Sequence, residues 1–165
     1  MGGGRRRAAT ISALGACIAV LASCGSGHGS TSAAADQSRA ALGARYLAIA
    51  RPANHRLDVD FDGLDDHDHT DLGVAAADLR DAATTERQFD RQVLRLALPT
   101  AMEKTARQLV TANESRARLS DQAARSVSLA ELRGYEPRLT AANAPVEAAV
   151  RVIRHDLGLP PPSTS

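Results

Sequence analysis

Tryptophan is missing from this chain, and two tyrosines, two phenylalanines, two cysteines and one lysine (Lys104) are all it has of those types among 165 residues. With so few aromatics, a core must come from Leu, Val, Ile and above all Ala, whose small side chain lets helices approach closely. Both cysteines, Cys17 and Cys24, fall in the first 24 residues. The remainder therefore has no disulfide, no thiol nucleophile and no thiolate metal ligand. Strand signals are nearly absent too, since apolar–polar alternation occurs only at Leu57, Val59 and Phe61. The common catalytic signatures are also wanting: no G-x-S-x-G, H-E-x-x-H, phosphate loop or G-x-G-x-x-G occurs. No glutamate has a histidine three residues on, the spacing that di-iron bundles use. These absences lead us to expect a non-enzymatic, all-α protein.

The N-terminus carries a targeting pattern. MGGGRRR supplies a cationic start, ATISALGACIAVLAS an apolar run shorter than the roughly 20 residues that span a bilayer, and Leu21-Ala22-Ser23-Cys24 closes it. This order resembles the signal and lipobox of bacterial lipoproteins, over residues 1–24 only. The resemblance implies cleavage before Cys24 and acylation (palmitate among the chains) of its side chain and new N-terminus. It also implies anchoring at the extracytoplasmic face of the cell membrane, because two acyl chains suffice where one is marginal. Without Arg5, Arg6 and Arg7, seventeen basic residues face nineteen acidic ones, a net charge of −2. A near-neutral protein outside the cytoplasm is a poor nucleic-acid binder. Nineteen arginines against one lysine, with abundant alanine, suggest a high-GC, actinobacterial genome.

The rest divides into a flexible small-residue tether over 24–33, a single domain over 34–158 and a Pro/Ser tail over 159–165. Within the domain we read four helical stripes. The first holds Leu42, Tyr46, Ile49, Ala53, Leu57, Phe61 and Leu64, with Pro52 expected to kink or break it. The second holds Leu72, Ala76, Leu79, Ala83, Phe89, Val93 and Leu96, with Glu86 and Asp90 mostly off that face. After Pro99, the capping-box spacing of Thr100 and Glu103 opens a third, through Met102, Ala106 and Leu109 to about Arg125. Ser128 and Glu131 repeat that spacing before a fourth, Leu132 to Leu157, read as one helix bent at Pro137 and Pro145. Gly158 suits a left-handed cap. Four such helices, each about 40 Å long, fit an antiparallel up-down bundle. Asn113 and Asn143 read as register or cap residues, and Tyr46 and Tyr135 as amphipathic packing.

One segment carries possible site chemistry. Leu57–Asp71, LDVDFDGLDDHDHTD, packs seven aspartates and two histidines into fifteen residues. On a calcium loop Asp58, Asp60 and Asp62 take the first three carboxylate positions, Gly63 the turn and Asp66 the ninth position. His69 then stands where a bidentate carboxylate belongs, so the pattern is half of such a loop. A zinc reading uses His67 and His69 with flanking aspartates. The rival reading ends the first helix near Asp62 with Gly63 as its cap, and gives Thr70 or Asp71 the next N-cap. On that reading no cofactor is needed. We expect a lipid-anchored envelope bundle that binds another envelope protein, or alternatively an envelope metal-binding or metal-sensing protein using segment 58–71.

Overall fold

A computed structural model describes residues 29–66 and 71–162, with side chains described for 35–61 and 71–162. Five helices follow one another: α1 (Gly29–Asp66), α2 (Leu72–Val93), α3 (Thr100–Ala123), the short α4 (Leu129–Arg133) and α5 (Glu136–Asp156). No strand occurs among the described residues, and the four long helices form an all-α bundle. No described helix is long and apolar enough to cross a membrane.

Local chemistry explains most helix ends. Asp71 caps α2, its Oδ1 accepting from the backbone N–H of Gly73 at 2.8 Å and of Val74 at 3.2 Å. That satisfies two of the four N–H groups a helix start leaves open. Ser128 caps α4 by accepting from the Glu131 N–H at 3.2 Å, while the Glu131 carboxylate accepts from Val127 N–H at 2.9 Å. The capping box read at Ser128 therefore forms, its return bond shifted one residue upstream. Gly158 follows α5 with φ 68, the left-handed conformation that glycine adopts without steric cost.

Four expectations need correction. The first helix does not stop at Gly63; α1 continues to Asp66, and its 38 residues span about 57 Å. An interior glycine costs a helix only about 1 kcal/mol, too little to end it by itself. Of the two outcomes expected at Pro52, a kink or a break, the break does not occur, and α1 runs through it. Its missing N–H frees the carbonyl of Ala48, an exposed residue where water can bond it. Third, the stripe from Leu132 to Leu157 is two helices, parted at Gly134-Tyr135, and Pro137 sits in the first turn of α5, where its absent N–H has no partner to lose. Finally, Thr100 is inside α3, whose cap residue is Pro99 with no side-chain hydrogen bond. The helical backbone also takes in Gly29–Ala33 of the segment read as a tether.

Packing follows chain order, α1 on α2, α2 on α3 and α3 on α5, whereas α1 and α5 approach each other less closely. Two apolar clusters result. The larger unites Tyr46, Ala50, Val93, Leu109, Val146 and Ile153, with Tyr46 meeting Phe89 edge to face at 6.3 Å. The smaller joins Ala76, Leu79, Ala123 and Ala124, with Phe61, Leu132, Tyr135 and Leu139 against it. Along α2 the clusters end at Leu79 and begin again at Val93; along α3 the gap runs from Leu109 to Ala123. Between them lie the fully buried alanines Ala82, Ala83 and Ala117 together with a set of buried polar residues.

Candidate functional site: a buried polar layer beneath the α1–α5 cleft

Residues seven apart on a helix return to nearly the same face. On α2 this places Glu86 in line with Leu79 and Val93, and Asp90 in line with Ala76 and Ala83. On α3 it puts Arg116 between Leu109 and Ala123, and Asn113 between Ala106 and Ser120. Both helices thus aim polar side chains into the seam at the same level. Glu86 is 1 % and Asp90 5 % exposed, which corrects the expectation that they lie off the buried face.

The layer is partly paired. Arg116 Nε donates to Glu86 Oε1 at 2.5 Å, and its Nη1 donates to Asn143 Oδ1 on α5 at 2.9 Å. Asn113 Nδ2 donates to Asp90 Oδ1 at 2.7 Å, which fixes the orientation of that amide because a carboxylate needs a donor. Asn113 and Asn143 are thus interhelical links, one α2–α3 and the other α3–α5. Nearer solvent, Arg87 bridges Glu114 at 3.2 Å and Asp121 at 2.7 Å, and Arg80 Nη2 donates to the Ala124 carbonyl at 2.8 Å.

Burial dominates the electrostatics. It pushes the Glu86 carboxyl up to about 7, because Arg116 offsets only part of the lost hydration and Asp90 adds repulsion. Burial likewise lifts Asp90 to about 6 against the hydrogen bond from Asn113. Glu114, near the surface, goes the other way and is held low by its arginines, Arg118 first. Among the described residues, Glu86 Oε2, Asn113 Oδ1 and Ser120 Oγ have no hydrogen-bond partner although all are buried.

Above the layer, where α1 and α5 diverge, lies a cleft of about 700 Å³, whose walls include Leu57 and Phe61 of α1, Leu132 of α4 and Leu139, Val146 and Val150 of α5. Its floor includes Arg116 and Asn143. An inner cavity of about 60 Å³ adjoins it and reaches Glu86 and Asn113. Asn54, Leu57, Arg116, Val146, Val150 and Pro162 line both, so the two spaces are adjacent. Pro162 gets there because Arg154 folds the tail back, donating to the Pro160 carbonyl at 2.7 Å.

The sequence-predicted residues are dispersed by comparison. Asp58 is exposed and lines the cleft. Asp60, two residues on, is half-buried toward α2, its carboxyl raised by burial and by Asp81. On a helix these two point about 200° apart, so they do not converge on one ion. Asp62 and Asp66 are in the helical backbone of α1, but their side chains, and all of His67, His69 and Cys24, lie outside the described residues. Among the described residues no group of three or more His, Cys, Asp or Glu is placed to hold a metal ion. Glu86, Asp90, Asn113 and Arg116 form the constellation that stripe-reading missed, and their seven-residue spacing within the apolar columns is the signal that marks them. Compared with protein-family models, curated proteins and solved structures, the chain gives no match.

Proposed function

We propose that this chain is a lipid-anchored, non-enzymatic binding protein of the cell envelope, and that the α1–α5 cleft is where its envelope partner is received. The observation that carries the reading is the cleft itself: a space of about 700 Å³ with Leu57, Phe61, Leu132, Leu139 and Val150 on its walls and the polar groups of Arg116 and Asn143 at its floor. Binding sites for small molecules commonly have this form, with apolar walls and a few convergent polar groups. The anchoring half rests on the charge–apolar–small order ending at Cys24. It places the bundle on the extracytoplasmic face of the membrane.

Each half has its own test. Replacing Cys24→Ser moves the chain from the membrane to the soluble fraction, and intact mass of the unsubstituted protein shows acyl chains on Cys24; membrane retention of the variant refutes anchoring. For the cleft, a photoreactive side chain is placed at Thr140, on its wall, or at Arg107, exposed on α3 and not lining it. Irradiated cells yield adducts from Thr140 and not from Arg107. Equal yields from both, or none from either, refute a binding role for the cleft.

A further inference from the structure

After α5 the chain turns back on the bundle. Gly158, at φ 68, makes the turn, and the Leu159 N–H donates to the Arg154 carbonyl at 2.8 Å. Leu159 packs against the larger cluster where α1 carries Gly43; a Cβ on that glycine would lie 3.2 Å from Leu159 Cδ2, so its absence makes room for the tail. Pro160, Pro161 and Pro162 continue back toward the cleft, and Pro162 borders both the cleft and the inner cavity. The two parts of this tail are held differently. Leu159 is fixed by its backbone bond and its packing. The three prolines have no N–H to give, so hydrogen bonds hold them only through their carbonyls. Arg154 supplies those bonds, Nε to Pro160 at 2.7 Å and Nη2 to Pro161 at 3.4 Å, and both are exposed. Among the described residues no carboxylate pairs with Arg154, so its guanidinium is committed to this grip.

Resting on the cleft as the receiving site, we propose that Pro160–Pro162 is an autoinhibitory lid, latched by Arg154, that closes the inner cavity and swings aside when the cleft is occupied. Three consecutive prolines with fixed φ make a stiff strap, so it moves as one piece about the Leu159–Pro160 junction. Whatever enters between α1 and α5 meets Pro162 beside Leu57 and Val150, which border the same two spaces. The strap is loose enough to yield: a solvent-exposed bond from a guanidinium favours the closed form by about tenfold. A site open in about one molecule in ten binds about tenfold more weakly than a site always open. A strap that merely clamped α5 to α1 would instead support the whole bundle, and the two roles are separable.

The test uses the full chain with Cys17→Ser and Cys24→Ser, given one new thiol at a time and labelled with N-ethylmaleimide, the rate followed by intact mass. Ala53→Cys and Ala76→Cys replace alanines 6 % and 7 % exposed, and only the first lines the inner cavity. Arg154→Met keeps the apolar stem and removes both donors. It speeds labelling at position 53 about tenfold and leaves position 76 unchanged. Ending the chain after Leu159 does the same, and serves if Arg154→Met does not fold. The shortened chain, photoreactive at Thr140, also gives a severalfold higher adduct yield in cells than the chain with its strap. Labelling at position 53 that ignores both changes, equal acceleration at positions 53 and 76, or an adduct yield indifferent to the strap overturns the proposal. If that happens while Thr140 adducts persist, the lid fails and the cleft stands; if Thr140 gives no adduct with or without the strap, the cleft fails and the lid's inhibitory role with it.

Discussion

Glu86→Gln should change the pH dependence of stability in a direction fixed by which force governs the buried carboxylate. Two forces oppose each other: loss of hydration raises its pKa, and the Arg116 guanidinium lowers it. Burial wins because Oε2 has no partner, leaving half the carboxylate without compensation. The folded carboxyl titrates near 7 and the unfolded one near its ordinary 4.5, an interval of about 2.5 pH units. Between these values the folded state holds a proton that the unfolded state has lost, so unfolding releases it. Stability from this group is fully present below pH 4.5 and is lost as pH rises through 7. At about 1.4 kcal/mol per unit, the loss amounts to about 3 kcal/mol. Glutamine cannot titrate, so the difference in unfolding free energy between wild type and variant reports this group with its coupling to Asp90 and cancels the carboxylates remote from it. We expect urea melts, followed by circular dichroism at pH 4.5, 6 and 8, to show the variant gaining about 3 kcal/mol on wild type across that range. A difference independent of pH would mean that Glu86 is hydrated or paired beyond what its buried position indicates. A difference of opposite slope would mean that the Arg116 ion pair, not burial, governs the layer.

Further outcomes follow from single contacts. Asn113→Leu removes the donor to Asp90, leaving that buried carboxylate bare; we expect a loss of about 1–3 kcal/mol in urea melts, larger at pH 8 than at pH 5, where Asp90 can protonate. Gly158→Ala forces a side chain into φ 68 at the end of α5 and should cost about 1–2 kcal/mol by thermal denaturation. Ser128→Ala deletes the α4 cap; a loss of about 1 kcal/mol is expected, with faster amide exchange confined to Leu129–Arg133 and the cleft wall at Leu132.

The fold class was legible because helix periodicity and end chemistry are local. Asp71, Ser128 and Gly158 act within a few residues of themselves, and each does what its residue type indicates. Two local signals read otherwise than they act. Gly63 reads as a stop and Pro137 as a bend, yet α1 runs through the first and α5 starts around the second, where an absent N–H costs nothing. The polar layer was obscured for a different reason. A stripe drawn from apolar residues alone passes over Glu86 and Asp90, and a lone helix gives them no reason to be buried. Their partners lie 23 to 30 residues away, on α3. Only the antiparallel pairing of α2 and α3 brings Arg116 level with Glu86 and Asn113 level with Asp90. The acidic segment 57–71 is conspicuous for its density of ligand types, whereas the described site is built from two polar residues on each of two helices, each seven residues from the buried neighbours in its own column.

The same layer accounts for why the bundle opens where it does. Beside the larger cluster, α1 contributes Tyr46 and Ala50 and α5 contributes Val146, Ala149 and Ile153 to one apolar core. One to two turns further, α1 presents Asn54 and Asp58 and α5 presents Asn143 and Thr140 among the apolar Leu57, Phe61 and Leu139, so less apolar area is left there to draw the two helices together. Arg116, reaching Asn143 from beneath, fixes α5 at that level with a hydrogen bond rather than with packing. A column of leucine at Glu86, Asn113, Arg116 and Asn143 would bury more apolar surface and avoid the desolvation of charge, so this layer is not the most stable way to fill the seam. What the polar residues supply instead is directional cross-linking: Glu86 and Asp90 of α2 are tied to Arg116 and Asn113 of α3, and Arg116 in turn to Asn143 of α5, beneath the α1–α5 cleft.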